Sequence, residues 1–275
     1  MTARSTETTV RTPDGLNLVG TLVQPDGPSR HAAVLVHGGG VTRHEAGFFT
    51  RLAAGLAEGG VASLRFDLPG HGESEGRQEE LSLAGVLNAI HAARDYLCRE
   101  TNLASASLVA ASFSGGLAAY YAARRPTDVE RLVLFNPLLD YKQRFVDQKD
   151  FWEDDYLTDE AARDLSEQGF LPHSPSFRLS RALLNEVFWL DARGALADIQ
   201  APTLIVHGTK DTFIPVESSR DADRRLTAPH RLTELEGAQH GIAVHDDPTY
   251  ANPQSRAWQG QVIAEVQAWL GNHSD

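Results

Sequence analysis

The stretch LVAASFSGGLAAYYAARRP, residues 108–126, holds an apolar run, two serines and a helix-like segment in direct succession. The apolar run predicts a buried strand, and residues 115–125 predict a helix that Pro126 ends. A sharp turn from a strand into a helix can present a nucleophile, because the strained backbone exposes the side chain at the turn. Ser112 and Ser114 are the two candidates for that position.

The two serines correspond to two registers of the same turn. The usual pattern is G-x-S-x-G, whereas the sequence reads A-x-S-x-S around Ser112 and S-x-S-x-G around Ser114. Ser112 lies at the end of the apolar run, about three helical turns before Pro126. A turn at Ser114 would force the bulky Phe113 into the crowded bend. We predict Ser112 as the nucleophile and Ser114 as a small residue packed beside it; an ordinary strand-to-helix connection is the alternative.

Composition excludes several classes of function. The 275 residues include 25 Lys and Arg against 37 Asp and Glu, a formal net charge of −12, and no basic run stands out. Such a surface repels phosphate backbones, so nucleic acid is not an expected partner. Cys98 is the only cysteine, which excludes an intrachain disulfide and a cysteine-based metal site. We expect no membrane span and no signal peptide, and therefore a cytoplasmic protein.

The order of elements along the chain predicts an α/β fold. Short β-rich runs alternate with longer amphipathic runs, which is typical of a parallel sheet flanked by helices. A turn signal at residues 13–15 predicts an opening antiparallel hairpin. The alternation stops in the middle of the chain and resumes with APTLIVHG, residues 201–208. We predict a mostly parallel eight-stranded sheet, with a core formed by residues 1–137 and 196–275 and a helical cap inserted at residues 138–195.

A serine nucleophile needs a base, and the base needs an orienting carboxylate. Asp211 lies in the loop after one predicted strand, in LIVHGTKDTFIP, and His240 follows the last predicted strand, in LTELEGAQHGI. Both positions belong to the sheet edge at which the serine should lie. Taken alone, Asp211 could be a helix N-cap, and His230 and His245 compete with His240. The chain order Ser, Asp, His favours a triad of Ser112, Asp211 and His240.

The run HGGG, residues 37–40, ends the first predicted parallel strand. Its glycines allow the backbone to approach a reacting carbonyl, and the run does not fit a phosphate-binding glycine motif. We predict that the backbone N–H groups of Gly39 and Phe113 form an oxyanion hole. The histidine of the run is predicted to anchor its loop. Asp67 and His71, in FDLPGHGESEG, are predicted to have architectural roles.

These motifs together resemble the α/β-hydrolase superfamily. The resemblance rests on VHGGG, FDLPGHGES, AASFSGG, HGTKDTFIP and GAQHG, and it covers nearly the whole chain except the insertion. The segment from HGGG to GESEG is similar to the feruloyl- and cinnamoyl-esterase branch of small serine hydrolases. The A-x-S-x-S turn resembles that of the bacterial luciferase-associated acyl-transferase, whose nucleophile is the first serine. The resemblance implies Ser112 as nucleophile, His240 as general acid and base, and Asp211 as its orienting carboxylate.

The predicted cap is rich in aromatic residues, of which Phe145, Phe151, Trp152 and Trp189 are predicted to bind substrate. Packing of the cap onto the core is the alternative for most of these rings. An aromatic cap favours an apolar or aromatic acyl group. We therefore predict a serine hydrolase that cleaves a small-molecule carboxylic ester without a cofactor or metal. A thioesterase, acyltransferase or cyclase that acts on an acyl thioester, for which an acyl-carrier protein is a candidate partner, is the alternative, and a ligand-binding scaffold is the non-enzymatic one. The sequence does not fix the oligomeric state.

Overall fold

An opening hairpin and six parallel strands form one eight-stranded sheet in the computed structural model, which describes residues 3–271. In chain order the strands are β1 (Arg4–Arg11), β2 (Asn17–Gln24), β3 (His31–Val36), β4 (Val61–Phe66), β5 (Ala106–Ala111), β6 (Val129–Phe135), β7 (Trp152–Glu153), β8 (Tyr156–Leu157), β9 (Phe170–Ser174), β10 (Phe177–Ser180), β11 (Thr203–Gly208) and β12 (His230–Leu235). The α-helices are α1 (Phe48–Glu58), α2 (Leu83–Thr101), α3 (Phe113–Arg124), α4 (Asp159–Gln168), α5 (Arg181–Glu186), α6 (Val216–Arg225) and α7 (Pro253–Gly271). The predicted mostly parallel sheet is confirmed.

The strand order is β1-β2-β4-β3-β5-β6-β11-β12. β1 pairs antiparallel with β2, with Arg11 opposite Asn17 across the turn, so the predicted opening hairpin is confirmed. Gly15 adopts a φ of +98° in that turn, a conformation that glycine reaches without a Cβ penalty. From β3 the chain moves outward to β4 and then back to the other side at β5. The carboxyl ends of β3 and β5 therefore flank a crevice, which is where open α/β sheets place their sites.

Both faces of the sheet are covered by helices. Every residue of β3 is buried, with Ala32 and Val34 in one apolar cluster and Ala33 and Leu35 in the other. The first cluster includes side chains of α2 and α3, and the second includes side chains of α1 and α7. A strand buried on both faces has a continuous apolar sequence, which explains the run AAVLV. No helix within residues 3–271 combines the length and the apolar character needed to cross a membrane.

The segment predicted as a helical cap contains more than helices. Besides α4 and α5 it has a π-helical turn at Gln143–Asp147 and two hairpins, β7–β8 and β9–β10. These strands were not predicted from the sequence, because they are short and Pro172 and Pro175 interrupt the second hairpin. Proline is tolerated there because a two-stranded hairpin consists only of edge strands. The division of the chain into core and cap stays a prediction.

Two glycines allow α3 to begin close to the loop after β6. A Cβ on Gly115 would lie 2.5 Å from Pro137 Cβ, and one on Gly116 would lie 2.4 Å from the carbonyl oxygen of Leu138. The ring of Pro137 and the backbone carbonyl of Leu138 cannot move aside as the end of a flexible side chain can. The glycines after Ser114 are therefore required by the close approach of two chain segments.

We expect Gly116→Ala to lower the free energy of unfolding by about 1–3 kcal/mol, the usual cost of overpacking. Gly260→Ala in α7 is the matched control, since a Cβ there meets nothing within 4 Å. The control should raise the free energy of unfolding by up to about 1 kcal/mol, because alanine favours the helix. Urea unfolding followed by circular dichroism measures both. Wild-type stability of Gly116→Ala would contradict this account of the packing.

Candidate active site

Ser112 occupies the strained turn between β5 and α3. Its φ of +50° lies in the left-handed region that non-glycine residues rarely adopt. The backbone N–H of Ser112 donates to the carbonyl of Phe135 at 2.9 Å, which keeps the turn in line with the end of β6. The helix begins at the next residue, Phe113. Of the two serines, Ser112 is therefore the one at the bend.

Ser114 lies one position further into α3 and is fully buried. Its hydroxyl donates to the carbonyl oxygen of His37 at 2.6 Å. This bond ties the start of α3 to the end of β3. The hydroxyl of Ser114 thus has a structural partner, in agreement with the packing role predicted for it.

Three side chains from distant parts of the chain meet at this edge of the sheet. His240 Nε2 lies 3.0 Å from Ser112 Oγ, and His240 Nδ1 lies 2.7 Å from Asp211 Oδ2. The ring of Phe213 packs beside that of His240, with 5.3 Å between the ring centroids. The structure thus brings the three predicted triad residues into one hydrogen-bonded chain.

Asp211 is buried and its carboxylate is fully engaged. Oδ1 accepts the backbone N–H groups of Phe213 at 2.8 Å and Ile214 at 3.0 Å, while Oδ2 faces His240. Pro215 is the N-cap residue of α6, so Asp211 is not the helix cap that the sequence left open. Burial raises the pKa of Asp211, but hydrogen bonds from His207 and His240 outweigh it and hold the pKa well below its usual range. The group is therefore a carboxylate that can stabilise a protonated imidazole.

His207, at the end of β11, is a supporting residue that the sequence analysis did not identify. It is fully buried, with Nε2 donating to the carbonyl of Ile214 at 2.9 Å and Nδ1 accepting from Ser219 Oγ at 2.7 Å. A carbonyl oxygen can only accept a hydrogen bond, so Nε2 of His207 carries the ring proton. The same Nε2 lies 3.4 Å from Asp211 Oδ2. The signal in the sequence is a polar residue at the end of the apolar run TLIV.

His37 orients the glycine loop through its tautomer. The backbone N–H of Leu68 donates to His37 Nε2 at 2.9 Å, so the ring proton lies on Nδ1 and is donated to the carbonyl of Gly38 at 2.7 Å. Because the peptide is planar and trans, the N–H of Gly39 points to the opposite side of that peptide unit. Neither this N–H nor that of Phe113 has a hydrogen-bond acceptor among residues 3–271. Both predicted oxyanion-hole donors are therefore free to bind a ligand.

Two further side chains hold the same loop. The N–H of Gly38 donates to Glu45 Oε1 at 2.5 Å, and the N–H of Gly40 donates to His71 Nε2 at 3.2 Å. His71 Nδ1 in turn donates to the carbonyl of Pro69 at 3.0 Å, which agrees with the backbone-bonding role predicted for it. Asp67 forms a buried ion pair with Arg43 and has the architectural role predicted for it.

One cavity borders the Ser112–His240 pair, and a second is lined by residues that contact the pair. The first, of about 130 Å³, is lined by Ser112, His240 and Gly39 and also by Glu45 and Tyr250. The second is a groove of about 390 Å³ between the cap and the loop before α6. Its apolar lining is Leu138, Leu139, Phe213, Ile214 and Pro215, and its charged lining is Asp140, Arg144, Arg193, Glu217 and Asp221. None of these lining residues was predicted to bind substrate; Ser112 and His240 were predicted as catalytic residues and Gly39 as an oxyanion-hole donor.

The four aromatic residues predicted to bind substrate do not line either cavity. Phe145 is buried against Phe113, with 6.3 Å between ring centroids. Trp152 and Phe151 are partly buried, and Trp152 Nε1 donates to the carbonyl of Phe145 at 3.0 Å. Trp189 lies at the surface with 85% of the residue exposed. The first three rings pack the cap, which is the alternative that the sequence left open, and we do not retain any of the four as substrate-binding residues.

The protonation of His37 should contribute to the pH dependence of stability. Burial and the neighbouring His71 lower the pKa of His37 to about 3, from 6.5 in an exposed histidine. The stability from neutral His37 is thus complete above pH 6.5 and is lost as the pH falls toward 3. Relative to His37→Gln, the wild type should lose about 1.4 kcal/mol of unfolding free energy per pH unit below pH 6.5. The titratable and charged groups that face His37, which are His71, Asp67 and Arg43, are present in both proteins, so urea unfolding between about pH 7 and about pH 4 compares the two on the same background. A constant difference between the two proteins would contradict it.

Comparisons with known proteins agree with this architecture. The chain is similar to Est1E from Butyrivibrio proteoclasticus, solved with ferulic acid bound, with a TM-score of 0.75 and 19% identity over 94% of this chain and 99% of that chain. A putative hydrolase from Agrobacterium vitis S4 has a TM-score of 0.73 and 21% identity over 98% of this chain and 100% of that chain. The monoacylglycerol lipase of Paleococcus ferrophilus has a TM-score of 0.64 and 24% identity over the full length of both chains. At these identities the likeness shows the fold alone.

No curated protein matches the chain. A family model described as the alpha/beta hydrolase family matches residues 33–251, and the chain belongs to that family.

Proposed function

We propose that the protein is a serine hydrolase that cleaves carboxylic esters through an acyl-enzyme on Ser112. The observation that carries this proposal is the continuous chain from Ser112 Oγ to His240 at 3.0 Å and from His240 to Asp211 at 2.7 Å. A serine hydroxyl is a weak nucleophile until an adjacent base accepts its proton, and the base needs a fixed orientation. A ligand-binding scaffold has no requirement for such a chain at a strained, partly exposed turn.

In the first half of the reaction, Ser112 Oγ attacks the ester carbonyl carbon while His240 Nε2 takes the hydroxyl proton. The Asp211 carboxylate stabilises the resulting imidazolium. The carbonyl oxygen becomes an oxyanion that accepts hydrogen bonds from the N–H groups of Gly39 and Phe113. Each such donor contributes roughly 3–4 kcal/mol of transition-state stabilisation.

The first half of the reaction ends when the ester C–O bond breaks and the proton on His240 Nε2 passes to the departing alcohol oxygen. The acyl group then remains on Ser112 Oγ. In the second half of the reaction water enters, His240 Nε2 takes one of the protons of that water, and the resulting hydroxide attacks the acyl carbon. Collapse of the second tetrahedral intermediate returns the proton to Ser112 and releases the carboxylic acid, so every proton is accounted for.

The groove of about 390 Å³ is the proposed acyl site. Two residues of its wall contact the triad: the backbone N–H of Leu138 donates to the carbonyl of Ser112 at 2.9 Å, and the ring of Phe213 packs on that of His240. Leu139 and Ile214 add apolar surface, and the volume fits a medium-sized apolar or aromatic acyl group. The ferulic acid bound to Est1E is an aromatic acid of this kind.

We expect Ser112→Ala to lower kcat by about 10⁴-fold or more, since the attacking oxygen is removed. Ser114→Ala is the matched control and should retain measurable turnover, because its hydroxyl serves only the carbonyl of His37. Hydrolysis of p-nitrophenyl esters provides the rates, and a fluorophosphonate probe followed by peptide mass spectrometry identifies the labelled serine. Labelling of Ser114, or equal loss of activity in both variants, would overturn the choice of nucleophile. Turnover of acyl-coenzyme A in place of the oxygen esters would favour the thioesterase alternative.

We expect Gln143→Trp to discriminate between short and long acyl groups. Gln143 is an exposed residue in the wall of the groove, so a larger ring there narrows the groove without disturbing the core. The variant should lower kcat/KM for the octanoyl ester about tenfold more than for the acetyl ester. Trp189→Ala is the control on the cap surface and should leave the ratio unchanged. An unchanged ratio in Gln143→Trp would exclude this groove as the acyl site.

A further inference from the structure

The small cavity beside Ser112 contains polar groups that the proposed mechanism does not use. Glu45 and Tyr250 line it together with Ser112 and His240, and the apolar part of its wall includes Phe48. Its volume of about 130 Å³ equals that of roughly four water molecules. The cavity therefore admits only a small molecule or a small part of a larger one.

Glu45 has one carboxylate oxygen committed and one free. The residue is only 9% exposed, and Oε1 accepts the N–H of Gly38 at 2.5 Å. Oε2 has no hydrogen-bond partner among residues 3–271. Burial raises the pKa of Glu45 and outweighs the hydrogen bond from Gly38 and the charge interaction with His240, which both lower it. An acceptor on a residue that lines a cavity, and that no protein donor engages, is a site at which a ligand can supply a donor.

The backbone around the cavity is strained at the residues that carry these polar groups. Glu45 and Ala46 have φ values of +45° and +47°, and Tyr250 has a φ of +51°. None of these three residues is a glycine, so each conformation has an energetic cost. Burial and the nearby Glu45 raise the pKa of Tyr250 well above its usual range, so its hydroxyl is neutral. Strain of this kind persists where the surrounding structure holds a side chain in a particular place.

The position of the cavity relates it to the alcohol half of an ester. The departing oxygen must lie within hydrogen-bond reach of His240 Nε2, because that atom gives it a proton. The cavity has both Ser112 and His240 in its wall, whereas the groove has neither. With the acyl group in the groove, the alcohol half points into the cavity and toward Glu45.

We infer that this cavity is a subsite for a small alcohol that carries a second hydroxyl group, which donates a hydrogen bond to Glu45 Oε2. The inference rests on the proposed ester hydrolysis and adds the chemical class of the leaving group. It also gives Glu45 two functions: Oε1 positions the glycine loop, and Oε2 selects the alcohol.

Two esters of the same acid test the inference, because they differ only at the end of the alcohol. Propyl butyrate ends in a methyl group where 2-hydroxyethyl butyrate has a hydroxyl group of similar size. We expect the wild type to have a kcat/KM about tenfold higher for the hydroxyethyl ester, the value of one hydrogen bond to a charged group. Release of butyric acid in a pH-stat measures both rates.

The variants separate selection from positioning. In Glu45→Gln the amide oxygen still accepts from Gly38, so the amide nitrogen, which is a donor, faces the cavity. The preference for the hydroxyethyl ester should then fall about tenfold relative to the wild type. Comparing the two proteins also cancels the intrinsic difference in reactivity between the esters. Glu45→Ala removes both functions and should lower turnover of both esters. Glu58→Gln, an exposed glutamate at the end of α1, is the matched control and should leave the ratio unchanged.

The outcomes distinguish the inference from the proposed function. If p-nitrophenyl esters are hydrolysed but the wild type does not prefer the hydroxyethyl ester, the inference is wrong while the hydrolase proposal stands. If Glu45→Gln keeps the wild-type preference, Glu45 does not select the alcohol and the inference is also wrong. If no ester is hydrolysed and Ser112 resists the fluorophosphonate, the proposed function is wrong and the inference is lost with it.

Discussion

The strained turn at Ser112 is the constraint on which the rest of the site depends. Its φ of +50° is compatible with a folded chain only because neighbouring segments hold it on both sides. The Ser112 N–H bonds to the end of β6, and the Ser114 hydroxyl bonds to the end of β3. Gly115 and Gly116 remove the side chains that would prevent the close approach of Pro137 and Leu138. The turn therefore joins three strand ends at one point and presents one hydroxyl group there.

The directions of hydrogen bonds divide the histidines of the site into two kinds. His37 and His207 are fully buried, and each has a backbone partner that fixes which ring nitrogen carries the proton. They hold the glycine loop and the Asp211 loop and have no vacant nitrogen for chemistry. His240 is partly exposed and has a carboxylate on one nitrogen and a hydroxyl on the other. Only this arrangement allows a proton to be taken up and returned during a reaction.

The sequence predicted what is encoded locally and missed what is decided by distant packing. Strand ends followed by small or polar residues identify Ser112, Asp211 and His240, because parallel strands bring their carboxyl ends to one edge. The cap was predicted poorly because its aromatic residues pack on one another, as Phe145 does on Phe113, and composition cannot specify which rings face a cavity. Glu45 has no motif of its own. Its position depends on a backbone conformation that ordinarily favours glycine, so the sequence gives no warning of it.

The two cavities impose an order on the proposed reaction. The departing alcohol and the incoming water must both lie beside His240 Nε2, since one receives a proton there and the other gives one. Both molecules need the same position beside Ser112 and His240 in the wall of the cavity, so in the proposed reaction the alcohol has to leave first. The inferred hydrogen bond to Glu45 would favour binding of the ester and would also slow the exit of the product. Under this proposal, the carboxylate oxygen that selects the alcohol also limits how fast the acyl-enzyme reacts with water, so higher selectivity comes with slower turnover.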